Sequence, residues 1–99
     1  MEDFKKKYKI YTKPTLDEAR RSFNIALGLY KKGEVDAVEL GNVATTVSSA
    51  TYNDGTLYEA ILAAIELDYY DDIAKDKETT DKFKKTLDDY WNQIKQDEH

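Results

Sequence analysis

Apolar and small residues recur at helical spacing between positions 40 and 51. They are Leu40, Val43, Ala44, Val47, Ala50 and Thr51, at successive spacings of three, one, three, three and one residues. This spacing is typical of one face of an α-helix. The same stretch is rich in β-branched residues, which favour strands, but alternate positions form no cleanly apolar face. Helical periodicity outweighs β-propensity here, and we predict a helix over 37–52.

The same periodicity predicts three further helices, over 16–32, 57–74 and 80–95. Their apolar stripes are Leu16, Ala19, Phe23, Ala26, Leu27 and Tyr30; Leu57, Ala60, Ile61, Ala64 and Ile65; and Phe83, Leu87, Tyr90, Trp91 and Ile94. Adjacent helical residues lie about 100° apart, so Tyr90 and Trp91 cannot both face the centre of the core. We expect Trp91 inside and Tyr90 at the wet margin. The predicted fold class is all-α, a small bundle of about four helices.

Short polar patterns indicate where these helices begin and end. Three capping boxes pair Thr15 with Glu18, Asp36 with Glu39 and Thr56 with Glu59. In such a box the first side chain accepts from a free backbone N–H, and the Glu reaches back to the cap residue. Thr79 or Thr80 is expected to cap the last helix. The sequence Asn-Asp-Gly at 53–55 indicates a helix stop, with Gly55 in the left-handed conformation.

The N-terminal segment is basic and follows a different pattern. Residues 4–13 read FKKKYKIYTK, whose alternation resembles an edge strand protected by lysines. Because the chain has no second strand, we expect an extended basic arm or a short helical turn that ends before Pro14. A strand, a helix and a disordered arm stay open for this segment. We divide the chain into a basic N-terminal arm, 1–14, and a helical domain, 15–99.

Composition sets the class of protein. The chain has 99 residues, of which 40% are hydrophobic and 35% charged, so we expect one folded domain. It has no cysteine, which excludes disulfides and thiolate metal sites and fits a reducing cytoplasm. No apolar run is long enough for a membrane span, and the N-terminus has no apolar signal segment. We therefore expect a cytoplasmic protein that has no membrane partner.

Charge is unevenly distributed along the chain. The formal net charge is −5, but residues 1–33 contain nine Lys or Arg against four acids, whereas 34–99 contain six Lys against sixteen acids. Such asymmetry is typical of two halves that attract each other across the fold. It also occurs in proteins with a basic arm for nucleic acid or an acidic face for a basic partner.

Few residues are suited to catalysis or metal binding. Acidic residues cluster at Glu66, Asp68, Asp71, Asp72, Asp76 and Glu78, but they lack the alternating ligands, central Gly and terminal Glu of a calcium loop. The only histidine is His99, and Ser48 and Ser49 have no evident base partner. We expect no enzyme, no metal, no cofactor and no small-molecule substrate.

Nucleic-acid binding is assigned to the arm rather than to the helices. The helix at 57–67 has no Lys or Arg and contains two glutamates, so it suits a phosphate backbone poorly. The candidate contacts are Lys5, Lys6, Lys7 and Lys9, interleaved with Tyr8 and Tyr11. Because the whole chain is acidic, we rank this function below protein binding.

Protein binding is the function that the sequence favours. Eight tyrosines and one tryptophan exceed the needs of a small helical core, and aromatic residues are common interface anchors. Candidate partner-binding residues are Tyr69, Tyr70, Tyr90, Asp71 and Asp72. We expect a non-enzymatic interaction module that binds another protein or itself, including as a homodimer, in a small bacterial or bacteriophage accessory protein. The first alternative is an acidic nucleic-acid mimic that inhibits a DNA- or RNA-binding protein, and the second is nucleic-acid binding through the arm.

Overall fold

Five α-helices account for most of the protein. The structure is a computed structural model that describes residues 2–97, with side chains described for 5–71 and 73–95. The helices are α1 (Glu2–Tyr8), α2 (Leu16–Lys31), α3 (Ala37–Val47), α4 (Gly55–Asp68) and α5 (Lys77–Asp97). A 3₁₀ turn, Ser48–Ala50, extends α3, and a π-helical turn, Tyr69–Ile73, extends α4. Residues 2–97 contain no strand, so the predicted all-α bundle is confirmed.

The core lies between α2, α3, α4 and α5. Helix α4 packs against both α3 and α5, and α3 packs against α2. The largest fully buried apolar side chains are Tyr8, Phe23, Leu27, Leu40, Leu57, Ile61, Leu67, Val43 and Val47. They come from four of the five helices, so one continuous core joins the bundle. None of the described helices is long and apolar enough to cross a membrane.

The helix predicted over 37–52 is confirmed over Ala37–Val47 and continues as a 3₁₀ turn to Ala50, so it ends earlier than predicted. Leu40, Val43 and Val47 are fully buried, as the stripe requires. Gly41, which lies outside the predicted stripe, is buried as well. A Cβ atom at Gly41 would lie 3.3 Å from the carbonyl oxygen of Ala64. Glycine therefore lets α3 approach the backbone of α4 closely.

Of the three capping boxes, one is complete. Thr15 and Glu18 make both hydrogen bonds of the box. Asp36 accepts from the Glu39 N–H, but the Glu39 side chain binds α1 instead of returning to the cap. The Thr56 box is wrong, because α4 already begins at Gly55.

The structure also corrects the other predictions of where helices begin and end. Asp54 caps α4 by accepting from the Leu57 N–H at 3.1 Å, so the Asn-Asp-Gly sequence starts a helix, and Gly55 has no positive φ. At α5 the cap is Asp76, which accepts from the Thr79 N–H at 3.1 Å, and neither Thr79 nor Thr80 takes that role. In both places an Asp just upstream of the predicted cap competes successfully, since Asp is among the strongest N-cap residues.

The N-terminal arm is helical rather than extended. Helix α1 ends in a paired turn in which the Lys9 N–H donates to the Lys6 carbonyl at 3.3 Å and the Ile10 N–H to the Lys5 carbonyl at 2.9 Å. This is the Schellman pattern, which requires a left-handed residue after the helix. Lys9 occupies that position with a φ of 55°.

Two side chains of the arm belong to the core. Tyr8 is fully buried and Ile10 nearly so, and both pack with the later helices. The division of the chain into 1–14 and 15–99 stays a prediction.

The predicted roles of Tyr90 and Trp91 are reversed. Tyr90 is 5% exposed, and its ring packs against that of Phe23 with centroids 5.8 Å apart. Its hydroxyl donates to the Asn24 side-chain oxygen at 2.6 Å. Trp91 is half-buried at the edge of the core. The buried hydrogen bond to Asn24 allows the phenol to enter the core, which the stripe alone did not reveal.

Candidate interaction surfaces

One exposed face of α4 and its π turn is apolar. It consists of Leu62, Glu66, Tyr69 and Ile73, at spacings of four, three and four residues, and we call it the α4 face. Leu62 is 42% exposed, Tyr69 49% and Ile73 67%. Side chains at this spacing lie on one side of a helix. Three large apolar side chains therefore stand in a row, interrupted by one glutamate.

The surroundings of the α4 face are acidic. Residues 55–74 contain no Lys or Arg and five acids, namely Glu59, Glu66, Asp68, Asp71 and Asp72. The Asp71 side chain is exposed. The Asp72 side chain lies outside the described residues, so its predicted role stays a prediction. Within 55–74 the apolar row thus has an acidic rim, while Lys75, Lys77 and Lys84 line a hollow with Tyr70 and Asp71 at its far end.

The π turn sets the positions of two predicted site residues. The Ala74 N–H donates to the Tyr69 carbonyl at 2.9 Å, which makes the wider turn. Tyr70 points inward to Phe83, with ring centroids 5.5 Å apart, while Tyr69 meets Tyr70 edge-on at 5.1 Å. Tyr69 therefore rests on a half-buried ring and faces solvent. Short π-helical turns are frequent at functional sites.

The structure brings together some of the predicted partner-binding residues but not all. Tyr69, Tyr70 and Asp71 lie together in the π turn. Tyr90 is buried against α2 and belongs to no exposed surface. Leu62 and Ile73 were missed as site residues. The available signal was that the 55–73 segment has apolar residues on every side, which an ordinary amphipathic surface helix does not.

A second surface is a basic groove between the arm and the end of α3. Its main part has a volume of about 310 Å³ and is lined by Lys5, Ile10, Tyr11, Thr12, Lys13, Pro14, Thr46, Ser49 and Ala50. A neighbouring hollow of about 280 Å³ shares three of these residues and adds Lys6 and Lys9. We call the two together the basic groove. Among the residues whose side chains are described, its lining contains four lysines and no carboxylate.

Three of the four predicted nucleic-acid contacts line this groove, and the fourth forms an ion pair instead. Lys5, Lys6 and Lys9 line the groove. Lys7 instead pairs with Glu39 at 3.0 Å, and the buried Tyr8 hydroxyl donates to the same carboxylate. These hydrogen bonds, that of Tyr8 first, lower the pKa of Glu39. Sequence reasoning missed Lys13, Thr46 and Ser49, because only the fold brings α3 beside the arm.

A polar cleft of about 430 Å³ lies between α2, the start of α4 and α5. Arg20 pairs there with Asp17 at 2.7 Å and with Asp54 at 2.9 Å. The hydrogen bond from Arg20 is the main cause that lowers the pKa of Asp54, and burial raises the pKa of Tyr90 to about 12. Asp54 thus stays ionised and Tyr90 protonated at neutral pH. These groups hold three helices together, and none of them is poised as an acid, base or nucleophile.

Metal-ligating residues do not converge among the described side chains, where no group of three His, Asp or Glu could hold an ion. His99 lies outside the described residues.

Comparison of the chain with protein-family models, with curated proteins and with solved structures finds no match. The proposals that follow rest on the residues and their geometry.

Proposed function

We propose that this protein is a non-enzymatic interaction module that binds a partner protein through the α4 face. The observation behind the proposal is the exposed row of Leu62, Tyr69 and Ile73 within a segment that has acids but no cations. Large exposed apolar side chains that share one face and have a polar rim are typical of protein-binding surfaces. Tyrosine is also a favoured anchor at interfaces.

The chemistry of the α4 face favours one kind of partner. Large apolar side chains can pack on Leu62, Tyr69 and Ile73, while Lys or Arg beside them can meet Glu66 and Asp71. The matching segment is a cationic amphipathic helix, which docks through apolar residues at helical spacing. We therefore propose a basic, amphipathic helical segment of another protein as the partner.

Two other occupants fit the α4 face less well. A two-fold homodimer would bring equivalent surfaces together, and the acidic rims would repel each other. A nucleic-acid mimic needs carboxylates in the positions of phosphates, and an apolar row has no place in such a surface. Both observations favour a basic protein partner over the homodimer and over the mimic.

The test uses a labelled helical peptide built from Leu and Lys, with a Leu–Glu peptide of the same pattern as its control. We expect the protein to bind the Leu–Lys peptide, measured by fluorescence anisotropy. Tyr69→Ala and Ile73→Ser should each weaken binding by about 2 kcal/mol, roughly thirtyfold in Kd. Tyr52→Ala is the matched control, because Tyr52 is 62% exposed but lies outside the α4 face.

Three results would overturn the proposal. The first is equal binding of the Leu–Lys and Leu–Glu peptides, and the second is an equal loss in the Tyr52→Ala control. The third is a dimer in sedimentation that Ile73→Ser dissociates, which would assign the α4 face to a second copy. Circular dichroism of each variant checks that the fold is intact, as expected for exposed side chains.

A further inference from the structure

We propose that the basic groove is a second binding site, which takes single-stranded nucleic acid. In this site the lysines lie along the phosphate backbone and Tyr11 stacks on a base. The site is separate from the α4 face and does not depend on it.

The lysines of the groove are available for an anionic ligand. Lys5, Lys6, Lys9 and Lys13 line it, and none of them has an ion pair within the part of the chain whose side chains are described. Lys7 differs from these lysines, because it forms an ion pair with Glu39 that neutralises its charge. Among the described side chains these are four cations without an ion pair along one groove, which is the electrostatic footprint of a polyanion site.

Neutral hydroxyl groups line the groove beside the lysines. Thr12 comes from the loop after α1, and Thr46 and Ser49 from the end of α3. Thr46 already donates its hydroxyl hydrogen to the Asn42 carbonyl at 2.7 Å, so its exposed oxygen can only accept, as from a ribose hydroxyl. Hydroxyls and lysines together are typical contacts to phosphate and sugar.

Tyr11 is placed as a stacking platform. Its ring is 53% exposed, while the neighbouring Ile10 is 8% exposed and anchors the loop in the core. The Lys9 carbonyl, one residue earlier, accepts from the Ser22 hydroxyl at 3.3 Å. The ring therefore extends from a held backbone between Lys9 and Lys13. An exposed aromatic ring between cations suits the unpaired bases of a single strand better than a duplex.

The backbone at Lys9 supports a role for its side chain. Helices α1 and α2 end in the same Schellman pattern, with Gly33 at the left-handed position after α2 and Lys9 at the one after α1. Glycine takes this conformation without strain, whereas a side chain does not. Lys9 therefore carries backbone strain, as does Lys75 with a φ of 56°, and at Lys9 the side chain of the strained residue lines the groove.

The test is fluorescence anisotropy with labelled oligothymidylate and oligouridylate over a range of KCl concentrations. We expect the logarithm of the association constant to fall linearly with the logarithm of the KCl concentration. The slope should be about −3, because each neutralised phosphate of a single strand contributes about −0.7. Lys9→Gly should reduce the slope by about 0.7 and weaken binding, while its melting temperature rises. Tyr11→Ala should weaken binding about fivefold or more, and Tyr11→Phe should leave it unchanged.

Lys84→Ala is the matched control, because Lys84 is an exposed lysine of α5 outside the groove. The rise in melting temperature of Lys9→Gly shows that its weaker binding does not come from unfolding. Absence of saturable binding to either oligonucleotide would overturn the proposal. So would an equal loss in Lys84→Ala, or equally tight binding of polyglutamate or of vesicles with anionic lipids. Different affinities for the two oligonucleotides would support the proposal and identify DNA or RNA as the preferred strand.

Discussion

At the scale of single residues, Tyr90 and Trp91 show how two neighbouring rings acquire different roles. Tyr90 lies in the core, where Asn24 accepts its hydroxyl at 2.6 Å. Trp91 covers the edge, with its ring close to Gly28 and the Lys95 ammonium 5.4 Å from the ring centre. A Cβ at Gly28 would lie 3.1 Å from the Trp91 ring, so the indole uses space that only glycine leaves free.

The first prediction compares truncation of these two rings. Tyr90→Ala should lower the free energy of unfolding by about 3–5 kcal/mol, because it leaves a cavity against Phe23. Trp91→Ala should lower the free energy of unfolding clearly less than Tyr90→Ala does. Tyr90→Phe should lower it by about 1 kcal/mol, because the hydrogen bond to Asn24 is lost. Urea denaturation followed by circular dichroism measures all three. A larger cost for Trp91→Ala than for Tyr90→Ala would contradict the placement of the two rings.

At the scale of helices, the contact between α3 and α4 depends on small residues. Gly41 of α3 lies against the backbone of α4. On α4, the small residues Ala60, Ala63 and Ala64 are fully or almost fully buried. Small side chains let two helices approach closely and pack backbone against backbone. The close contact places α4 in the centre of the bundle, with Leu62 and Tyr69 turned outward.

The second prediction is a pair of Gly→Ala changes. In a helix interior, Ala is favoured over Gly by about 1 kcal/mol, but at Gly41 the new methyl would meet the Ala64 oxygen at 3.3 Å. Because that oxygen belongs to a packed backbone, α3 must shift, and we expect Gly41→Ala to lower stability. Gly55→Ala meets no atom within 4 Å and should raise stability by about 0.4–1 kcal/mol. Thermal melting curves show whether each change raises or lowers stability. A Gly41→Ala variant that is more stable than the native chain would contradict the close contact between α3 and α4.

At the scale of the molecule, the two oppositely charged halves of the chain are joined by ion pairs. Lys7 pairs with Glu39, Arg20 with Asp54, and Lys31 with Asp88. Each cation comes from residues 1–33 and each acid from residues 34–99, as expected if the halves attract each other. These pairs link α1 to α3 and α2 to the start of α4 and to α5. Part of the charge asymmetry therefore stabilises the fold through these ion pairs. Other charged side chains stay exposed, at the α4 face and in the basic groove.

The third prediction concerns acid. Hydrogen bonds lower the pKa of Glu39 and of Asp54, so both carboxylates favour folding when ionised. Their contribution is fully present above the unfolded pKa values of about 4 and is lost as pH falls through the lower folded values. We expect the melting temperature to decline below about pH 4. Asp54→Asn should be less stable than the native chain at pH 7, and the two curves should converge in acid.

The Asn side chain can still cap the helix, so this comparison measures the ionised carboxylate, both in its pair with Arg20 and at the N-terminus of α4. Melting curves that stay parallel from neutral pH into acid would show that the Asp54 carboxylate adds no stability.

The helices themselves were predictable because their signals are local. The stripe of Leu40, Val43 and Val47 and the box at Thr15 depend only on residues within a turn or two. The start of α4 was misplaced because both Asp54 and Thr56 are good caps. The choice between them includes the ion pair of Asp54 with Arg20, which lies far away in the sequence.

The surfaces were predictable only in part. The sequence by itself determined an all-α chain, its main stripes, the acidic tyrosine segment and the basic arm. Only the tertiary structure decided that Tyr90 is buried, that Lys7 is neutralised, that Leu62 and Ile73 share a face with Tyr69, and that Lys13 and Ser49 line one groove. Periodicity reports which side of a helix is apolar, but it does not report which neighbour covers that side. Burial, ion pairing and grooves depend on contacts between distant segments, and those contacts exist only once the helices have packed.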